Sequence, residues 1–419
     1  MNTGESTLRT RQVGPVGVET LPIPSVFPPG FTGGCAGRIR ERSRLEWRLV
    51  DGGDPAELLA AFLAAEGLPM ADLARPAVAD HLGSAVCGAS LFVSAVAGAV
   101  LAGAPAGAPG PAAAVPDLVA VVYEHGDAPT GSVRREPATA GRETTAPPGW
   151  RIGPWRGSWT PGRHAEAVRA VRDSIARGDV YQVNLVGHAA AAYAGDPLPA
   201  LRRVTRLPGA RYAGVLHGDG WAIACASPET LVELSTGGRL VTRPIKGTRP
   251  ATAAGRREML ASQKERAEHV MIVDLERNDL ARVARTGSVR VDRLYAIRRW
   301  CDLWQAESVV SAAPADGVGL ADVLRAVCPG GSVTGAPKLA ALGQIAALEP
   351  VGRGASMGAL GWLAAGRLDL GLTIRTVAVD ADHLHVWAGG GITWGSEPAA
   401  EVAEAAAKAA PLINAVASG

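Results

Sequence analysis

The segment LVTRPIKGTRPATAAGRREML, residues 240–260, decides how the rest of this chain is read. A short apolar run leads into Thr242-Arg243-Pro244-Ile245, and Lys246 follows beside Gly247 and Thr248. Arg243, Lys246 and Arg249 fall three apart around two prolines and a glycine. Taken locally, three readings stand: a solvated loop charge, an anion-binding turn, or a catalytic amine. A lysine acts as a nucleophile only where burial or neighbouring cations lower its pKa. The decision therefore rests on the residues around it.

The chain has 419 residues, 47% hydrophobic and 20% charged, enough for one large globular domain or two of ordinary size. Its formal charge is only +2, with the basic residues spread along the sequence, which argues against a nucleic-acid partner. Five cysteines (Cys35, Cys87, Cys225, Cys301 and Cys328) lie far apart. They offer neither zinc spacing nor a disulfide framework. Residues 83–116 carry no formal charge and are long enough to cross a bilayer. Ala and Gly dominate that tract, however, Ser90 and Ser94 interrupt it, and no basic cluster flanks it. A buried strand or helix pair is the expectation. The opening MNTGESTLRTRQ lacks the apolar centre of a signal peptide, so a cytoplasmic protein without a membrane span is expected.

DPAELLAAFLAAEG (54–67) has a capping Asp and helical apolar spacing, and PDLVAVVYEH (116–125) reads as a strand. GDAPTGSVRREPATAGRETTAPPGW (126–150) has the composition of a boundary loop. This separates an amino-terminal region, residues 1–150, from a second domain over 155–415. Residues 160–180 read as a helix between a Thr cap and Gly178. Residues 181–193, 221–227 and 230–245 read as strands, the last with a Gly-Gly turn. KERAEHVMIVDLERNDLARVA (264–284) predicts an amphipathic helix, 320–350 a helix, glycine-rich turn and helix, 358–392 two or three strands, and 396–418 a helix. Strands joined by short turns, without βαβ alternation, predict α+β with largely antiparallel sheets.

Three constellations can carry chemistry. Glu265 and Glu268 share a face of the 264–284 helix, and Glu401, Glu404 and Lys408 line one face of the final helix, after Gly389, Gly390 and Gly391. Two such faces can converge on Mg²⁺, which takes oxygen ligands; solvated Glu–Lys pairs are the plainer reading of the same spacing. PGGSVTGAPK (329–338) is rich in small residues that let backbone N–H groups approach an anion, and a helix follows. A plain connection is its alternative. In LTIRTVAV (372–379), Arg375 interrupts an apolar run, and a buried guanidinium needs a carboxylate, internal or substrate. GxSxG, GxGxxG after a strand, and HExxH are all missing.

Together these segments resemble the chorismate-utilising enzymes, a family that includes the anthranilate, aminodeoxychorismate, isochorismate and salicylate synthases. The resemblance runs from about residue 161 to 412 through GDVYQVNL, SPETLVEL, RPIKGTRP, KERAEHVMIVDLERNDLARV, PGGSVTGAPK, LTIRTV and GGGITWGSEPAAEVAEAAAKA. The amino-terminal third is similar only faintly. The resemblance implies an anthranilate synthase component I-like fold, with two largely antiparallel sheets packed as a sandwich and flanked by helices. It implies magnesium at Glu268 and Glu404 with Glu401 nearby. Arg375 matches the clamp on a substrate carboxylate. The backbone of Gly335, Ala336, Pro337 and Lys338, with Thr248 and the late glycines Gly389, Gly390 and Gly391, matches the walls around chorismate. Glu229 of SPE matches a general acid/base position.

The PIKGT motif is most like the aminodeoxychorismate synthase component I branch, where anthranilate synthases carry a small residue at the place of Lys246. The implied chemistry is attack of a neutral Lys246 amine at C2 of chorismate while the C4 hydroxyl leaves with a proton from Glu229. Ammonia then enters at C4 and expels the lysine. With no glutaminase motif in the chain, a separate glutamine amidotransferase subunit is implied. Amination at C2, or a degenerate paralogue, is the alternative. Two departures from the family pattern bear on it: Gln305 stands where many relatives carry histidine, and Ser356 follows Arg353 where a tyrosine arm is common.

Overall fold

The computed structural model describes residues 39–75, 86–125, 149–300 and 303–418. The expected boundary loop falls almost wholly outside these residues, as do Cys35, Cys301 and the opening segment. The chain runs β1 (Ile39–Trp47), α1 (Pro55–Ala65), β2 (Val86–Val93), α2 (Ala95–Leu101), β3 (Leu118–His125), β4 (Arg151–Ile152), β5 (Arg156–Gly157) and α3 (Pro161–Arg177). It continues through β6 (Gln182–Ala194), α4 (Leu198–Val204), β7 (Tyr212–Gly218), β8 (Trp221–Ser227), β9 (Thr230–Leu234), β10 (Leu240–Arg243), β11 (Ile245–Pro250), α5 (Ala253–Ala261) and α6 (Gln263–Ala281). Then follow β12 (Arg290–Trp300), β13 (Leu303–Ala312), α7 (Leu320–Val327), β14 (Gly335–Ala336), α8 (Lys338–Leu348), β15 (Ala359–Ala364), β16 (Arg367–Leu372), β17 (Thr376–Val379), β18 (His383–Ile392) and α9 (Pro398–Ala417).

The strands form two antiparallel sheets. One is ordered β1-β3-β2-β15-β16-β9-β10-β13-β11, with β12 also on β13; the other is β14-β6-β18-β17-β8-β7, with β4 and β5 on β6. The strands before residue 126 thus join the same sheet as β15 and β16, through pairs such as Leu91 with Gly361. Their common core holds Leu91, Val121, Val232 and Leu370 from the first sheet against Ile223, Cys225 and Trp387 from the second. This is a sandwich with side chains of two inner faces interdigitated. On the outside of the second sheet α4 and α9 cover Ala224, Val377 and Val386, while α3 and α8 cover Val183 and Leu185.

Local signals account for the helices. Asp54 caps α1 through Ala56 and Glu57 N–H, Thr160 caps α3, and Gly178 ends it in the left-handed region. The uncharged tract becomes a buried strand, β2, and a short helix, α2, capped by Ser94. Among the described residues no helix is long and apolar enough to cross a membrane.

Four local expectations change. Residues 245–250 form strand β11 against β13, with a bulge at Gly247 (φ 72°), so Lys246 lies on a strand edge and not in a turn. LTIRTVAV is two strands broken at Arg375, whose φ of 51° is left-handed. Residues 359–392 hold four strands. Helix α6 is less simply amphipathic than expected, because His269, Glu276 and Asp279 are buried alongside Ile272, Val273 and Leu280.

A buried ion pair fastens the glycine-rich turn to the second sheet. Arg353 Nε and Nη2 donate to Glu349 Oε2 and Oε1 at 2.8 and 2.6 Å. Its remaining donors reach Val333 O at 2.6 Å and Asn184 O at 2.7 Å, while Val186 N–H donates to Glu349 Oε1 at 2.9 Å. Removing one partner leaves an uncompensated buried charge. Arg353→Ala is expected to lower the unfolding free energy by about 3–5 kcal/mol, read from urea melts. A wild-type midpoint would show that the pair contributes nothing.

Candidate active site

The two sheets and their helices bring the sequence candidates toward one end of β18. Gly390 and Gly391 form its floor. A side chain at Gly390 would meet Glu401 Oε2 at 3.2 Å, Glu404 Oε1 at 3.6 Å and Lys408 Nζ at 3.7 Å. One at Gly391 would meet Gln182 Nε2 at 2.6 Å. Only glycine leaves that space open. Gly389 offers its carbonyl to Lys408 Nζ at 2.9 Å, and Lys408 pairs with Glu404 at 2.7 Å. Glu268, from α6, accepts the Thr393 hydroxyl at 3.3 Å, just beyond the glycine run. Glu265 turns elsewhere, to Gly247 and to Arg249 at 3.3 Å.

Lys246 reaches inward from β11, its Nζ 3.4 Å from Ser332 O in the glycine-rich turn. Glu229 lies between β8 and β9, buried, and its Oε1 accepts Ile245 N–H at 3.4 Å. Burial pushes the Lys246 ammonium below the usual lysine range; Glu229, Glu268 and Glu404 oppose that shift and the charge of Lys408 adds to it. Burial likewise raises the Glu229 carboxyl above its ordinary range, against the pull of Lys246, the Ser332 hydroxyl, the Ile245 N–H and Lys408. Both groups are thereby moved toward their uncharged forms. The neighbouring arginines take no part in this: Arg243 binds Glu233 at 3.1 Å, and Arg249 binds Glu265.

Arg375 sits at the bend between β16 and β17, where its Nη1 donates to Pro208 O at 3.4 Å. Burial lowers its pKa and the Glu229 carboxylate offsets part of that effect. Gly335 and Ala336 pair with Val183 and Gln182, so β14 lies against the strand that carries Gln182. Pro337 precedes α8. The Lys338 side chain leaves this wall and binds Asp279 at 2.6 Å. Thr248 is exposed and lies opposite Gln305. Gln305 itself is buried. Ser356, also buried, donates to Thr373 O at 3.2 Å and so steadies the bend before Arg375.

Gln182 Nε2, Asn184 Oδ1, Gln305 Oε1 and His269 Nδ1 are buried without a hydrogen-bond partner among the described residues. Unsatisfied groups of this kind are costly unless a ligand or water meets them. Gln182 and Asn184, two apart on β6, share one side of the strand. The carboxylate oxygens of Glu268, Glu401 and Glu404 are the donor type a magnesium ion takes. Among the described residues, though, no three His, Cys, Asp or Glu side chains are gathered closely enough to close around an ion.

Sequence reasoning missed Asn184, His269 and Glu276. His269 is bonded to Ser308 Oγ at 2.6 Å, and burial with the Lys246 charge lowers its pKa to about 4. Glu276 accepts the Thr242 hydroxyl at 3.0 Å, and burial, reinforced by Asp279, raises its carboxyl to about 8. The only signal for Glu276 was its place on the inward stripe of α6, four residues after Ile272 and four before Leu280. An acid whose folded pKa is raised binds protons more tightly in the native state. Its stabilising contribution is therefore full below the unfolded value near 4.5 and is lost as pH rises through about 8. Urea melts between pH 5 and 8.5 are expected to show a decline for the wild type that Glu276→Gln reduces; parallel declines would mean that Glu276 is ionised in the fold.

The chorismate binding enzyme family matches residues 120–414. The aminodeoxychorismate synthase component 1 of Klebsiella aerogenes is 40% identical over 257 residues, covering 60% of this chain and 57% of that protein. The anthranilate synthase component 1 of Streptomyces coelicolor is 39% identical over 299 residues, 68% of this chain and 58% of its own length. The chain thus matches a little over half the length of these relatives. The crystal structure of anthranilate synthase component I from Streptococcus pneumoniae has a TM-score of 0.73 at 24% identity, covering 96% of this chain and 95% of that one. That likeness establishes the fold as the anthranilate synthase component I type, α+β with two antiparallel sheets. Because the family match runs unbroken through Glu229, Lys246, Glu268, Arg375 and α9, the chain belongs to the chorismate binding enzymes.

Proposed function

We propose that this chain acts as an aminodeoxychorismate synthase component I, aminating chorismate at C4 with ammonia from a separate glutamine amidotransferase subunit. The observation that supports this reading is the Lys246 amine set beside the Glu229 carboxyl, both biased toward their uncharged forms. A neutral amine is a nucleophile and a neutral carboxyl is a general acid, so both shifts run in the direction these roles require.

In the first step Lys246 Nζ bonds to C2 of the ring, both ring double bonds shift by one position, and the C4–O bond breaks. The leaving hydroxyl takes the Glu229 proton and departs as water. Ammonia then bonds at C4, the C2–N bond to Lys246 breaks, and the lysine is restored as an amine. The surplus proton on the new amino group returns to the Glu229 carboxylate. Arg375 is suited to hold a substrate carboxylate bidentately, and Gln182 and Asn184 have unused polar atoms on the same side of β6. Glu268, Glu401 and Glu404 are not gathered closely enough to close around an ion by themselves, so they would hold magnesium only together with a substrate carboxylate, whose charge the ion would offset.

The second reading, amination at C2, is favoured by the Streptomyces coelicolor relative and its anthranilate synthase name. Incubation with chorismate, Mg²⁺ and an ammonium salt, followed by mass spectrometry, separates the two. The expected product is 4-amino-4-deoxychorismate, yielding 4-aminobenzoate only after a lyase is added; anthranilate without any lyase would overturn the proposal. Lys246→Ala is expected to abolish that product. Glu229→Gln should lower kcat by about 10²-fold or more, with a smaller change in KM.

A further inference from the structure

Outside the active site, a groove of about 170 Å³ opens between α3, α9 and the outer face of β6 and β18. Its lining is mostly small and apolar, including Val402, Ala405 and Ala409 of α9. Two aromatic rings break that pattern. Trp159 and His164 stack with centroids 4.6 Å apart and 17° between planes. They lie over Gly187, where a side chain would come within 3.1 Å of Trp159 Nε1. His164 is only 5% exposed, yet among the described residues neither its imidazole nor the Trp159 indole N–H has a hydrogen-bond partner. The third ring, His188, has both nitrogens engaged, by Ser158 Oγ at 2.5 Å and His385 Nδ1 at 3.1 Å. The groove therefore combines a mostly apolar lining with an imidazole and an indole N–H that are unpartnered among the described residues.

We propose that this groove binds a small, planar, uncharged aromatic molecule bearing a hydroxyl or carbonyl group, stacked along the Trp159–His164 pair and hydrogen-bonded to it. Size follows from the groove volume and flatness from the near-parallel Trp159 and His164 rings, and an oxygen is what an indole N–H and an imidazole can both engage. Charge is disfavoured because, among the described residues, no Lys, Arg, Asp or Glu side chain lines the groove, and burial lowers the His164 pKa. The ligand would rest against α9, whose adjoining face carries Glu401, Glu404 and Lys408. A groove ligand that displaced α9 would also displace those side chains, and such a coupling would act equally in both directions.

Phenol, toluene and benzoate serve as probes on the whole chain, with binding followed by calorimetry or ligand-observed NMR. Phenol is expected to saturate, with toluene and benzoate each about tenfold weaker. His164→Phe should bring phenol down to the level of toluene. Ala406→Phe, at the exposed rim, should exclude both. Equal affinity for phenol and toluene, or phenol binding indifferent to both substitutions, would overturn the proposal. The coupling rests on the proposed amination and is read as a change in chorismate KM at saturating phenol. Unchanged KM with intact phenol binding would overturn the coupling, whereas phenol binding without any chorismate turnover would count against the amination instead.

Discussion

The Arg353–Glu349 pair is the interaction on which the site depends. It is buried, yet almost every polar atom is used: the guanidinium serves the carboxylate, Val333 O and Asn184 O, and the carboxylate also takes Val186 N–H. Full hydrogen bonding of this kind offsets the desolvation that makes most buried pairs costly. Through these bonds the end of α8, the glycine-rich turn and β6 are fixed as one body. That body positions Ser332, whose carbonyl meets Lys246, and Gln182, which stands over Gly391. Ser356, in the same short segment as Arg353, ties down the bend that presents Arg375.

Charge is distributed with similar economy. Lys338 is ion-paired with Asp279, so among the described residues Glu276 is hydrogen-bonded to a hydroxyl and feels Lys338 only through space. Lys408 binds both Glu404 and the Gly389 carbonyl, and its charge adds to the lowering of the Lys246 pKa. The two arginines flanking Lys246 in sequence are held by Glu233 and Glu265. The cation that matters to Lys246 thus comes from a helix about 160 residues further along the chain, which follows from the fold and not from local sequence.

How much of this was legible depended on range. Helix ends were, because Asp54, Thr160 and Gly178 act within one turn. The class of fold was, because strands joined by short turns exclude βαβ winding. The family resemblance singled out Lys246, Glu229 and Arg375, and the fold sets the Glu229 carboxyl within electrostatic reach of the other two. Local composition misread the setting of Lys246: Pro and Gly suggested a turn, whereas pairing with β13 and a glycine bulge make residues 245–250 a strand. Glu276 was invisible for the opposite reason. Nothing nearby marks a carboxyl as buried when its environment is made by Thr242, Gly331 and Lys338, all distant in sequence.

The pairing of β6 with β18 carries a kinetic consequence. Gly391 lies opposite Asn184, and His383 opposite Ala192, so the floor of the site joins segments some two hundred residues apart. Contacts of that range are slow to form, because the loop between them must be closed before any bond repays it. Intermediates that already hold α3, β7 and β8 would still lack the catalytic surface. Activity recovered during refolding should therefore lag the return of secondary structure, and nascent chains short of α9 would be folded in part yet chemically silent.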